Sequence, residues 1–186
     1  MIIASQKRKE NIAEYLLYMW QIEDIIRANG LDLGKIRANV IDRFSSLTQQ
    51  QRDEMAGWYE SLVDMMRREG VERSGHLQIN RNVMSSVSEL HRALLADPRF
   101  AGYAALFYKT LPYIVELRSR AGDTGAQGEI ETCFTALYGM MMMRLAGKEI
   151  SPDTAQAISR ISELVATLAA YYKKNEHEPL FMPSDD

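Results

Sequence analysis

The residues able to do proton or metal chemistry are few. The 186-residue chain has three histidines and one cysteine. His76, His91 and His177 fall in a polar connection, a helix and the tail, so spacing does not gather them. A carboxylate-bridged metal bundle needs inward acids and Glu-x-x-His pairs on two helices. The nearest approach, Glu89 with His91, puts the two residues on different sides of a helix. No metal and no cofactor is expected. Cys133 has apolar neighbours and no activating base beside it, so it reads as a packing residue rather than a nucleophile. Gly-x-Ser-x-Gly is absent, as is a phosphate-cradling glycine loop, and no strand precedes the glycine-rich AGDTGAQG at 121–128. No catalytic residue is assigned.

Two polar groups remain. Arg73, Ser74, His76, Gln78 and Asn80 concentrate donors and acceptors in the connection at 70–80. Functional side chains favour such connections when rigid elements hold them, although Asn80 is also well placed to cap the following helix. Glu14, Glu23 and Asp24 share a helix with Tyr15, Tyr18 and Trp20. One of these acids could turn inward to meet an arginine, Tyr59 or His91, and burial with a partner tunes a carboxylate. A pocket between the helices at 6–28 and 49–69 and the 73–80 segment would be lined by Trp20, Trp58, Tyr59 and His76.

The window 67–92 carries Arg67, Arg68, Arg73, Arg81 and Arg92 against three glutamates, with no aromatic other than its histidines. That pattern fits a solvated, salt-bridged surface better than a nucleic-acid footprint. The net charge of −3 provides no basic field to draw in nucleic acid or an anionic membrane.

The elements that position these residues are helical throughout. Helix is predicted at about 6–28, 33–44, 49–69, 81–96, 99–120, 129–146 and 152–174, each from apolar residues recurring at three and four. The local punctuation agrees. Asn11 with Glu14 and Thr48 with Gln51 look like capping boxes, Asp32 and Ser151 like N-caps, and Asn29-Gly30 and Gly70 like stops. Lys7, Arg8 and Lys9 would sit badly at the positive end of a helix beginning at Ser5. Pro112 predicts a kink or break near Leu111. Residues 121–128 read as a mobile loop, the best place to nick the chain.

The stretch 129–146, EIETCFTALYGMMMMRLA, is apolar nearly all round and predicts a buried central helix. Gly139 would meet the small face of the last helix, Ala155, Ser159, Ser162, Ala166 and Ala169. Met140, Met141, Met142 and Met143 cannot all face one small core, which makes them candidate interface residues. The fold expected is all-α: an irregular bundle of about seven helices, with residues 1–174 forming one domain and 175–186 a frayed tail. The first residues, MIIASQKRKE, lack a signal-peptide apolar region. No run reaches the roughly 18 apolar residues of a membrane span; 133–146 comes nearest and is too short. A cytoplasmic setting is expected.

Long phrases carry a resemblance: NIAEYLLYMWQIEDIIRANG at 11–30, WYESLVDMMRREGV at 58–71, SGHLQINRNV at 74–83, LPYIVELRS at 111–119, EIETCFTALYG at 129–139 and KEISPDT at 148–154. The chain resembles an uncharacterised bacterial family of small all-helical proteins, a domain of unknown function. The resemblance implies one helical domain in a bacterial cytoplasm, and it carries no activity, cofactor or catalytic residue. The leading functional expectation is a non-catalytic interaction or scaffold protein, self-associating as a homo-oligomer or meeting a protein partner through spare apolar surface. The alternatives are a small-molecule binder or enzyme using the Trp20–Trp58–Tyr59–His76 pocket, and a weak nucleic-acid-binding regulator using the arginines.

Overall fold

The computed structural model describes residues 2–121 and 127–181. Among the described residues there are eight α-helices and no strand: α1 Ile2–Glu10, α2 Ile12–Ala28, α3 Leu33–Asn39, α4 Gln49–Arg68, α5 Gln78–Ala96, α6 Ala101–Ala121, α7 Glu129–Leu145 and α8 Pro152–His177. Short 3-10 turns at Ile41–Arg43 and Pro98–Phe100 precede α4 and α6. The fold is an all-α bundle. Buried side chains from α1 to α8 join in one apolar core.

Asn11 accounts for eight helices rather than seven. It leaves helical geometry (φ −156°, ψ 108°), and its side chain accepts the N–H groups of Ala13 and Glu14. One predicted helix is therefore two. Lys7, Arg8 and Lys9 fall in the last turn of α1, where the carbonyl end of the dipole favours cations. The cap at Thr48–Gln51 is a full box, and Ser151 accepts from Thr154 N with Pro152 at the first helical position.

α8 lies against α2, α5, α6 and α7, and is the hub of the bundle. α7 is only half a core element. Ile130, Thr132, Cys133 and Phe134 are buried, but beyond them Thr135, Gly139, Met142 and Leu145 reach the surface. A Cβ built on Gly139 meets nothing within 4 Å, so the predicted close approach to α8 does not occur. Ala155, Ser159, Ser162 and Ala166 are exposed, while Ala169 is buried. Of the methionine run, Met140 is buried, Met141 and Met143 are half-buried, and Met142 is exposed.

α6 passes through Pro112 as one continuous helix. Pro112 itself is exposed, so the carbonyl it leaves unbonded one turn earlier lies on the solvent side, beside the exposed Tyr108. α8 runs to His177, and the segment after it folds back: Leu180 N donates to Asn175 Oδ1 (2.9 Å), Arg99 donates to the Leu180 carbonyl (3.1 Å), and Phe181 packs on Phe100. The mobile loop predicted at 121–128 falls mostly on residues 122–126, which lie outside the described residues, as do residues 182–186 of the tail. Among the described residues no helix is long and apolar enough to cross a membrane.

Candidate functional site

The site is built on two consecutive acids of α2. Glu23 falls in the inward stripe of its helix, three residues after Trp20 and seven after Leu16, and is 0% exposed. Its carboxylate takes three hydrogen bonds. Oε1 accepts from Leu77 N (2.9 Å) and Asn80 Nδ2 (2.7 Å), and Oε2 lies 2.6 Å from His76 Nδ1. A carboxylate this deep is tolerated because its oxygens are paired and because it faces the N-terminus of α5, where free N–H groups and the helix dipole favour negative charge. α5 has no side-chain cap of its own; Glu69 accepts the Gln78 N–H (2.6 Å), and Glu23 accepts the Leu77 N–H and the Asn80 side-chain amide. Asn80 is thus not the N-cap. α5 begins at Gln78, and Asn80 is its third residue, turned inward to Glu23.

Asp24 works on the other side of the same loop. It accepts from the Tyr138 hydroxyl (2.6 Å) and from Arg27 Nη1 (2.8 Å). Burial, and then the Asp24 carboxylate, raise the Tyr138 phenol far above its ordinary range, so it stays a donor. Arg27 Nη2 donates to the carbonyls of Val71 and Gly75. Gly75 holds φ +86°, a left-handed turn that presents its carbonyl there without strain. Glu23 and Asp24 together tie the 71–77 segment onto α2.

The geometry of His76 follows from Glu23. An ionised carboxylate only accepts, so Nδ1 carries the proton, and in the neutral ring Nε2 is then an acceptor. The ring stacks on Trp20 with centroids 4.2 Å apart and planes at 14°. Trp20 is fixed in turn by the edges of Phe134 (6.2 Å) and Tyr138 (5.8 Å), both from α7. His76 is 31% exposed against 0% for Glu23. It forms part of the wall of a groove of about 320 Å³, with Trp20, Asn80, Arg81, Met84, Ser85 and Ser88, and with Gly128 and Glu131 from the start of α7. Asn80 Oδ1 is buried beside it and has no hydrogen-bond partner. The arrangement is an acid–imidazole pair with the acid sealed and the imidazole facing open space. Such a pair can accept a hydrogen bond from a guest, because the acid fixes the tautomer of the ring.

The four residues expected to share a pocket divide between two. Trp20 and His76 meet in this groove, whereas Trp58 and Tyr59 line a separate cavity with Tyr18 and Phe44. His91 is not near Glu23. It is buried against Tyr103, with which it shares a 2.6 Å hydrogen bond, and against the edge of Phe107. Cys133 is 0% exposed, and burial pushes its thiol up to about 12, as an inert packing residue requires. Among the described residues no group of three His, Cys, Asp or Glu is placed to hold a metal ion. Of the arginines at 67–92, Arg67 holds the Leu31 carbonyl (3.1 Å) and Arg81 holds Gln78 (2.7 Å).

Asn80 and Asp24 were the residues whose roles the pattern alone did not give. Glu23 had a signal, its place in the apolar stripe, but its partners lie more than 50 residues away.

Fold and site together define a small all-helical protein with a polar knot between α2, α5 and α7. The family model described as Domain of unknown function (DUF4924) matches residues 1–179, and the chain belongs to that family. No curated protein and no solved structure matches it.

Proposed function

We propose that this protein binds a small polar molecule in the groove between α2, α5 and the start of α7, with His76 Nε2 as its principal acceptor. The observation that carries this reading is the fully buried Glu23 bonded to a partly exposed His76. A carboxylate needed only to pin a loop is satisfied by Leu77 N and Asn80. Adding a partly exposed imidazole that lines a groove gives the pair a chemical use. The groove volume is at the lower end of small-molecule sites, roughly 300–1,000 Å³.

The test reads the His76 tautomer by nitrogen NMR of the neutral ring. The native ring is expected as the Nδ1–H tautomer. In Glu23→Gln the new amide donates to Nδ1, so the ring should switch to Nε2–H. A panel of small polar molecules should contain compounds that shift the His76 and Trp20 ring signals in the native protein and do so at least about tenfold more weakly in Glu23→Gln, the cost of turning an acceptor into a donor. A native ring in the Nε2–H tautomer, or binding indifferent to the switch, would sink the reading.

A second reading, self-association or scaffolding, has its own support. Met142 and Leu145 are 40% and 66% exposed at the end of α7. Sedimentation across a concentration series should then give a dimer or larger species, and Leu145→Lys should return it to monomer. A native protein that stays monomeric at high concentration counts against it. A cytoplasmic, bacterial setting belongs to the same proposal, supported by a lone cysteine kept buried and unpaired.

A further inference from the structure

Trp58 and Tyr59 are consecutive on α4, and their rings meet edge to face, with centroids 5.2 Å apart and planes at 66°. Two rings set at a steep angle form a corner. This corner belongs to a cavity of about 200 Å³, which Tyr18 of α2 and Phe44 of the turn before α4 also line. Tyr59 is only 3% exposed, yet its hydroxyl makes no hydrogen bond among the described residues and is not one of the sealed, unpaired atoms of the core. Tyr59 is one of the residues that line the cavity. Phe44, 44% exposed, stands at the edge and leaves apolar surface that a guest would cover.

The electrostatics of this lining have one sign. Aromatic faces are negative at their centres. Burial pushes the Tyr59 phenol up to about 12, with Tyr18 adding to the rise, and burial raises Tyr18 as well. Both are neutral at ordinary pH and offer oxygen lone pairs. Glu54 is the one charged residue of the lining, exposed at the rim, and neither lysine nor arginine contributes. An anion would find no partner here and would be repelled by Glu54. A neutral apolar guest would gain only contact area. A cation gains the aromatic lining and the Glu54 carboxylate together. The volume is below that of drug-sized sites, which restricts the guest to the dimensions of a head group.

We propose that the Trp58–Tyr59 corner is a binding site for a small alkyl-substituted ammonium ion, its alkyl groups against Trp58, Tyr18 and Phe44 and its charge toward Tyr59 Oη and Glu54. The site is separate from the His76 groove and does not depend on the function proposed for it.

The test compares choline with 3,3-dimethylbutan-1-ol, which has the same shape without the charge, by proton–nitrogen NMR of the full chain. The two indole N–H signals are assigned with Trp58→Phe. Choline should shift the Trp58 signal saturably and leave that of Trp20 in place. The neutral alcohol should bind at least about tenfold more weakly, the ratio expected of a partly desolvated cation–π contact. Glu54→Gln, a surface change that leaves the fold intact, should weaken choline about threefold and leave the alcohol unchanged. Equal binding of the two compounds, no choline shift at Trp58, or an unchanged choline affinity in Glu54→Gln would overturn the proposal.

Discussion

Glu23→Ala should lower the stability of the protein by about 3–5 kcal/mol, the range for removing one partner from a buried charged network. The carboxylate takes hydrogen bonds from Leu77 N, Asn80 Nδ2 and His76 Nδ1. His76, 31% exposed, finds water when the acid is gone. Leu77 and Asn80, at 0% and 1% exposure, do not, and each orphaned donor costs about 1–3 kcal/mol. α5 also loses the negative charge facing its N-terminus. A domain of this size shifts about 2–4 °C in Tm per kcal/mol, so the midpoint should fall by roughly 10 °C. Glu23→Gln keeps Oε1 for Leu77 and Asn80 and should lose about half as much or less. Urea and thermal unfolding of the three proteins check this. A Glu23→Ala protein within about 1 kcal/mol of native would show that water replaces the carboxylate freely.

His91 should make the protein sensitive to mild acid. It is 4% exposed, between Tyr103 and Phe107. Burial lowers its pKa from 6.5 to about 4, with Arg92 adding to the fall and Glu129 opposing it. The unfolded chain therefore takes up this proton first. Above pH 6.5 neither state is protonated, and the contribution is fully present. As the pH falls from about 6.5 to 4 it is lost, and below that both states carry the proton and the loss levels off. At 1.36 kcal/mol per pH unit the interval is worth about 3 kcal/mol. The measurement is the stability difference between native protein and His91→Gln, which retains a polar partner for Tyr103, across pH 4–7. The native protein should lose more than the variant over that range. Parallel curves would mean that His91 is protonated in place without penalty.

The bundle was legible in the sequence wherever the determinant was local. Thr48–Gln51, Asp32 and Ser151 cap the helices they were expected to cap, because a side chain reaching a backbone N–H two or three residues on needs no tertiary partner. Asn11 carried the right signal for α2, and the basic run before it was the sign of another helix ending there. The misreadings came where the outcome depended on what covers a face. α7 is apolar nearly all round, yet its second half lies at the rim, so its composition implied more burial than the packing provides. Pro112 points to solvent, where an unbonded carbonyl costs little, and α6 runs on without the break that was one of the two outcomes expected there. Of the site, Trp20 and His76 were legible as candidates. That they stack on each other, and that Trp58 and Tyr59 line another cavity, depends on how α2, α4 and α7 cross.

The knot around Glu23 also bears on the order in which the molecule assembles. Its three bonds span 53, 54 and 57 residues of chain, with α3 and α4 lying in between. Closing a loop of that length has to be offset by many contacts made at once, whereas helices and their caps form from neighbours. The knot is therefore expected to close late, after α2 and α5 have met through their apolar faces. Its strength acts as a latch on the finished structure. Glu23→Ala is accordingly expected to speed unfolding far more than it slows refolding, a split that stopped-flow rates of native and variant protein would read, and lifetime rather than folding rate is then the property that this buried acid sets.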